Sequence, residues 1–140
     1  MAETAWIVQG VDSALGVPLA PPHRWLRSGP WTSYWVGPQQ WLITHPQPED
    51  YEAQRDKLIA AGGALFDVSD ARVALRANAE ALSKGCGVDL DPVAFPPGEC
   101  RSTLLARVGV LIAREETGFL LFAPRSYAHS LRGWLGLDKG

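Results

Sequence analysis

Three kinds of side chain in this sequence have the chemistry to act on a substrate. Cys86 follows Lys84 in Lys84-Gly-Cys86, and a neighbouring cation favours the thiolate, the nucleophilic form of cysteine. No histidine lies near it in sequence to act as base, and the competing reading is a buried free thiol. Acids occur at short spacing in Asp67-Val-Ser-Asp70 and Asp89-Leu-Asp91. Both segments read as loops, where Asp and Ser bond their own backbone, and two acids without a third oxygen donor fall short of a Ca²⁺ site. His23, His45 and His129 are widely separated, and none has the orienting partner that a general base needs. The chain holds no G-x-G-x-x-G, no G-x-x-x-x-G-K-[ST], no H-E-x-x-H and no C-x-x-C. Gly85-Cys-Gly87 follows a helical segment rather than opening one, so it reads as a helix stop and not as a phosphate cradle. No catalytic, cofactor-binding or metal site is expected from these residues.

The arginines and aromatics suggest binding instead. Arg72, Arg76, Arg101 and Arg107 fall on strand-like runs, and Arg125 precedes the last helix. Five of the six tryptophans (Trp6, Trp25, Trp31, Trp35 and Trp41) lie in the first 41 residues, with Tyr34 and with Pro18, Pro21, Pro22, Pro30 and Pro38. Trp, Tyr and Arg together are the composition of interface hot spots. Trp41 and Trp134 read as core, but six internal tryptophans would be a heavy load for 140 residues. The residues expected at a protein interface are therefore Trp6, Trp25, Trp31, Tyr34, Trp35 and Arg125, which large pockets on a partner would receive.

The elements that position these residues follow from hydrophobic period and punctuation. Residues 1–30 show no sustained period and contain Pro21-Pro22, which predicts an extended N-terminal arm rich in Trp and Pro, followed by a single domain over 31–140. Thr32–Gly37 and Trp41–His45 read as a hairpin. Pro48 can occupy the first turn of a helix reaching Ile59, which Gly62 and Gly63 stop. Ala64–Val68 and Ala71–Arg76 read as strands, the second with Val73 and Leu75 on one face. Asn78 is an N-cap for a short helix Ala79–Lys84, with Gly85 as the left-handed residue after it. Three strands, Cys100–Arg107, Val108–Arg114 and Gly118–Ala123, and a helix carrying Tyr127, Leu131, Trp134 and Leu135 complete the order ββαββαβββα. This is an α+β domain, a mainly antiparallel sheet with helices on one side.

Length and charge bound the function classes. At 140 residues, 46% hydrophobic and 20% charged, the chain is long enough for one core. Thirteen Lys and Arg against 15 Asp and Glu, with no basic block, argue against nucleic acid and membrane surfaces as partners. Runs such as Val108–Ala113 are too short to span a bilayer, and the N-terminus lacks the pattern of a signal peptide, so a cytoplasmic location with both cysteines as thiols is expected.

Several motifs in one order carry a resemblance: Asp67-Val-Ser69, Lys84-Gly-Cys86 with Asp89-Leu90, Phe95-Pro-Pro-Gly98 before Thr103-Leu-Leu105, and Pro124-Arg-Ser-Tyr127. Over about residues 35 to 135 the sequence resembles the gamma subunit of heterotetrameric sarcosine oxidase. The resemblance implies a fold related to the folate-binding domain of the glycine-cleavage aminomethyltransferase. In that transferase an acidic pair ends the strand after Thr-Leu-Leu, whereas Gly109-Val-Leu-Ile-Ala113 is apolar here, which implies a subunit without its own active site. It further implies partners: an alpha subunit carrying NAD and tetrahydrofolate sites, a beta subunit carrying FAD and FMN, and a delta subunit carrying zinc. Such an assembly oxidatively demethylates sarcosine or a similar N-methyl amine and passes the one-carbon unit to tetrahydrofolate, and this chain would assemble and stabilise it. The rival reading is a free-standing tetrahydrofolate-binding or aminomethyltransferase-like protein, which would need acids such as Asp67, Glu99 and Glu115 to converge on a pterin.

Overall fold

Strand pairing closes twice along the chain, once within residues 1–70 and once within residues 71–140. The computed structural model describes residues 3–11, 13–14 and 17–136. The expected element order holds from residue 31 onward, and the all-antiparallel pairing fits an α+β class. The strands form two main sheets rather than the single one expected.

The first unit contains β1 (Thr4–Gln9), a short ribbon of β2 (Ser13–Ala14) and β3 (Val17–Pro18), then β4 (Trp25–Ser28), β5 (Trp31–Gly37) and β6 (Gln40–His45). Helix α1 (Tyr51–Ala60) and β7 (Ala64–Asp67) follow. The sheet order is β4-β5-β6-β1-β7, so β1 is hydrogen-bonded on both sides, with Trp6 opposite Ile43 of β6 and Asp67 of β7. This corrects the expected arm and the expected boundary at residue 30: among the described residues of that stretch, β1 and β4 belong to a sheet, and the compact units divide after Asp70. Residues 1, 2, 12, 15 and 16 of the stretch, and 137–140 at the other end, lie outside the described residues. The period-2 signal of β1 is masked because Thr4, Trp6 and Val8, which are buried, alternate with Ala5 and Ile7, which are also apolar.

Helix α1 starts three residues later than Pro48, at Tyr51, because the Asp50 carboxylate caps it by accepting from Ala53 N at 3.2 Å. It stops as expected at Gly62, whose φ of 89° is the left-handed conformation that glycine adopts without cost, and Gly63 N returns to Leu58 O at 2.8 Å. Leu58 and Tyr51 pack with Trp6, Val8, Trp41, Ile43 and Leu65 beneath one face of the sheet.

The second unit contains β8 (Arg72–Ala77), α2 (Ala79–Leu82), β9 (Cys100–Leu105), β10 (Val108–Glu115), β11 (Gly118–Pro124), a 3-10 turn (Arg125–Tyr127) and α3 (Ala128–Leu135). Its sheet order is β8-β11-β10-β9. Leu82 of α2 and Leu131 and Leu135 of α3 join Leu75, Leu105, Ile112 and Leu121 from the strands, with Phe95 of the long loop, in one cluster. Asn78 caps α2 as expected, accepting from Ala81 N at 2.8 Å. Gly85 is not the left-handed stop that was expected, since it is not among the positive-φ glycines. It is needed for space: a Cβ there would lie 2.9 Å from Trp134 Cζ2.

Candidate functional site

The aromatic residues of the first unit are placed by strand alternation and held by their polar atoms. Trp6 meets Trp31 at a centroid distance of 5.5 Å and Tyr51 edge-on at 5.8 Å. The Tyr51 hydroxyl donates to Leu65 O at 2.6 Å, and Trp41 Nε1 donates to Ala20 O at 2.8 Å. Ala20 N in turn donates to Ser33 Oγ at 2.9 Å, which pins residues 19–20 over the core. Rings packed on one another, with the Trp41 and Tyr51 polar tips answered inside the chain, are how a core uses Trp and Tyr.

Two of the expected interface residues are therefore corrected. Trp6 is 1% exposed and Tyr34 is 4% exposed, so neither has surface to give a partner. Trp25, Trp31 and Trp35 are half-buried. His23 lies on Trp35 with centroids 4.4 Å apart, His45 lies edge-on to Trp31 at 4.7 Å, and the Arg27 guanidinium sits 6.0 Å from the Trp25 ring. Arg125 is exposed at the 3-10 turn, with its backbone N–H bonded to Ala71 O at 2.8 Å. The structure thus keeps Trp25, Trp31, Trp35 and Arg125 as surface residues and brings the three tryptophans, but not Arg125, into one unit.

The motifs that carry the family resemblance fasten backbone. Asp67 accepts from Ser69 N at 3.0 Å and from Ser69 Oγ at 2.6 Å, while Ala5 N donates to Ser69 Oγ at 2.9 Å and Val68 N donates to Ala5 O at 2.9 Å. Asp67-Val-Ser69 is a clamp of the end of β7 onto β1. Asp89 accepts from Asp91 N and Asp91 from Val93 N, both at 2.9 Å, which are the self-bonded loop turns expected of them. Gly98, at φ 92°, donates to Arg114 O at 3.0 Å and closes the Pro-Pro-Gly turn against β10.

Two arginines brace this loop and were not singled out for that role in the sequence. Arg101 donates to Ala94 O at 3.2 Å and to Glu99 at 2.6 Å, and lies 4.8 Å over the Phe95 ring. Arg114 donates to Leu90 O at 2.8 Å and lies 4.7 Å over the Phe119 ring. The signal that could have found them is an arginine on the core-facing register of a strand, as Arg101 opposite Ile112 is.

The acids that a pterin site would need do not converge. Asp67 is committed to Ser69, Glu99 to Arg101, and Glu115 to an ion pair with Arg76. That pair crosses an open hollow of about 350 Å³ lined by Arg76, Ala77, Asn78, Glu115, Thr117 and Phe119. Its only charges thus neutralise each other. Among the described residues no group of three or more His, Cys, Asp or Glu is placed to hold a metal ion. Cys100 is buried, Cys86 is half-buried, and both are free thiols. His45 Nδ1 accepts from Gln47 N at 3.0 Å, and His129 is exposed on α3. No described helix is long and apolar enough to cross a membrane.

Comparison with known proteins gives one family and one fold. The model of the sarcosine oxidase gamma subunit family matches residues 1–139. A chain of the heterotetrameric sarcosine oxidase from Corynebacterium sp. U-96, solved in complex with pyrrole 2-carboxylate, is similar in structure at a TM-score of 0.80 and 23% identity. The similarity covers 99% of this chain and 82% of that one. No curated protein matches the sequence.

Proposed function

Because the chain belongs to the sarcosine oxidase gamma subunit family, we propose that it is the structural gamma subunit of a heterotetrameric, sarcosine oxidase-like flavoenzyme. Its role is to complete and stabilise the assembly without performing a chemical step. The observation that carries this reading is the family match over residues 1–139, made on a chain whose motif residues fasten its own backbone. Polar groups used in this way hold a shape, and a defined shape is what a scaffolding subunit contributes.

In this reading the partners are alpha, beta and delta subunits that carry NAD, FAD, FMN, tetrahydrofolate and zinc. The assembly is cytoplasmic and oxidatively demethylates sarcosine or a related N-methyl amine, with the one-carbon unit passed to tetrahydrofolate. The fold is a relative of the folate-binding aminomethyltransferase domain that has lost the pterin-holding acids. The half-buried Trp25, Trp31 and Trp35 and the exposed Arg125 belong to the surface that meets the larger subunits, because indoles already fixed on one side lose little freedom on docking.

Two assays test the reading. Material isolated through a tag on this chain is expected to release formaldehyde from sarcosine, and the isolated chain is expected to give no heat on titration with tetrahydrofolate. Micromolar binding of tetrahydrofolate by the lone chain, without sarcosine activity in the isolated material, would replace the subunit by a free-standing folate protein.

A further inference from the structure

The hairpin joining β9 to β10 turns in two residues, Ala106 and Arg107, between the paired Leu105 and Val108. Both have positive φ, 49° and 71°. Two-residue hairpins with this backbone are the place for Asn-Gly, since a Cβ is strained there, and here alanine and arginine occupy it. The turn is held by what lies beside it. Ala106 N donates to Gly85 O at 3.4 Å, Gly87 N donates to Leu104 O at 3.3 Å, and Cys86 bridges to Leu105. Gly85 itself lies on the half-buried Trp134, so close that a Cβ would meet the indole.

This brace sets two cations at one end of the second unit. Lys84 and Arg107 flank the Gly85 and Ala106 contact, and both are exposed. Among the described residues neither side chain makes an ion pair, a hydrogen bond or a ring contact. Of the strand arginines, Arg76, Arg101 and Arg114 are instead committed to Glu115, Glu99 and Leu90 O, while Arg72 of β8, like Arg107, makes no such contact among the described residues. Glu99 and Glu115 are likewise used up inside the unit. An arginine set on a strained, braced tip and left without a counter-charge is pre-organised for an anionic group from outside.

We propose that the Lys84–Gly87 and Ala106–Arg107 end of the second unit is a docking surface for an acidic segment of a partner subunit, with Arg107 binding a carboxylate and Lys84 supporting it. The proposal rests on the subunit reading above and adds to it the place and the charge of one contact.

The test uses the full chain, tagged and expressed in its source cells, with flavin absorbance per chain measured on the isolated material from about 0.05 to about 0.5 M salt. The Lys84→Glu/Arg107→Glu variant is expected to retain about tenfold less flavin than the wild type at physiological salt, with an unchanged Tm. Ala106→Asn, which eases the turn and keeps both cations, is expected to raise the Tm by about 3 °C and to retain flavin as the wild type does. Charge reversal that leaves flavin retention and its salt dependence unaltered would overturn the proposal, and so would equal loss of flavin in Ala106→Asn. A wild-type chain that brings no flavin at any salt would instead sink the subunit reading itself.

Discussion

Residues 4–70 build their core around Trp6 and Trp41, with the half-buried Trp31 and Tyr51 packed against them, whereas residues 71–136 fill theirs with leucines, Ile112, Phe95 and Phe119. The Trp41 indole and the Tyr51 phenol of the first unit find acceptors at Ala20 O and Leu65 O. The second unit has little polarity inside its core, and its polar work falls to Arg101 and Arg114, which lie over phenylalanine rings and fasten the loop of residues 88–98. An abundance of tryptophan therefore does not separate a core from an interface. The partner of each ring nitrogen and the pairing of the strand that carries it do.

Changes in each unit sharpen or break this contrast. The largest effect is expected for Trp6→Ala, about 3–5 kcal/mol of stability by urea unfolding, because a fully buried ring leaves a cavity. Trp25→Ala and Trp35→Ala, at half-buried positions, are expected to cost well under half of that. Equal losses at Trp6 and Trp25 would mean that β1 is not interior. Gly85→Ala comes next, at about 1–3 kcal/mol with an altered near-UV signal from Trp134, since the added methyl would sit 2.9 Å from the indole. Ser69→Ala removes the acceptor of Ala5 N and should cost about 1–2 kcal/mol, with faster amide exchange at Ala5 as the specific readout. The smallest effect, about 1 kcal/mol or less, is expected from Asp50→Ala at the exposed cap of α1. A cap loss larger than the Ser69 loss would reverse the ranking of the part-buried over the exposed hydrogen bond.

Much of the second half was legible in the sequence. Period-2 runs with one polar face gave β8, the N-cap Asn78 gave α2, and the helical recurrence of Leu131, Trp134 and Leu135 gave α3. The first thirty residues were not, for two physical reasons. Strand β1 is apolar at Ile7 as well as at Trp6 and Val8, so alternation does not show. Pro21-Pro22 marks a turn, with Arg24 N bonded to Pro21 O and His23 at φ 64°, rather than an extended tail. Of the expected interface, Trp6 and Tyr34 were misplaced because a count of aromatic residues says nothing about which strand is central. The roles of Gly85 and Ser69 depend on close approach between segments far apart in sequence, of which a local pattern carries no trace.

The central claim is that this chain works as one part of a flavin-bearing assembly, and an absorption spectrum of the material that co-purifies with it from its own cells tests that claim most directly. Flavin bands in a fixed ratio to this chain, in a complex with further subunits, are the expected result. A colourless chain that elutes alone under gentle conditions would contradict it.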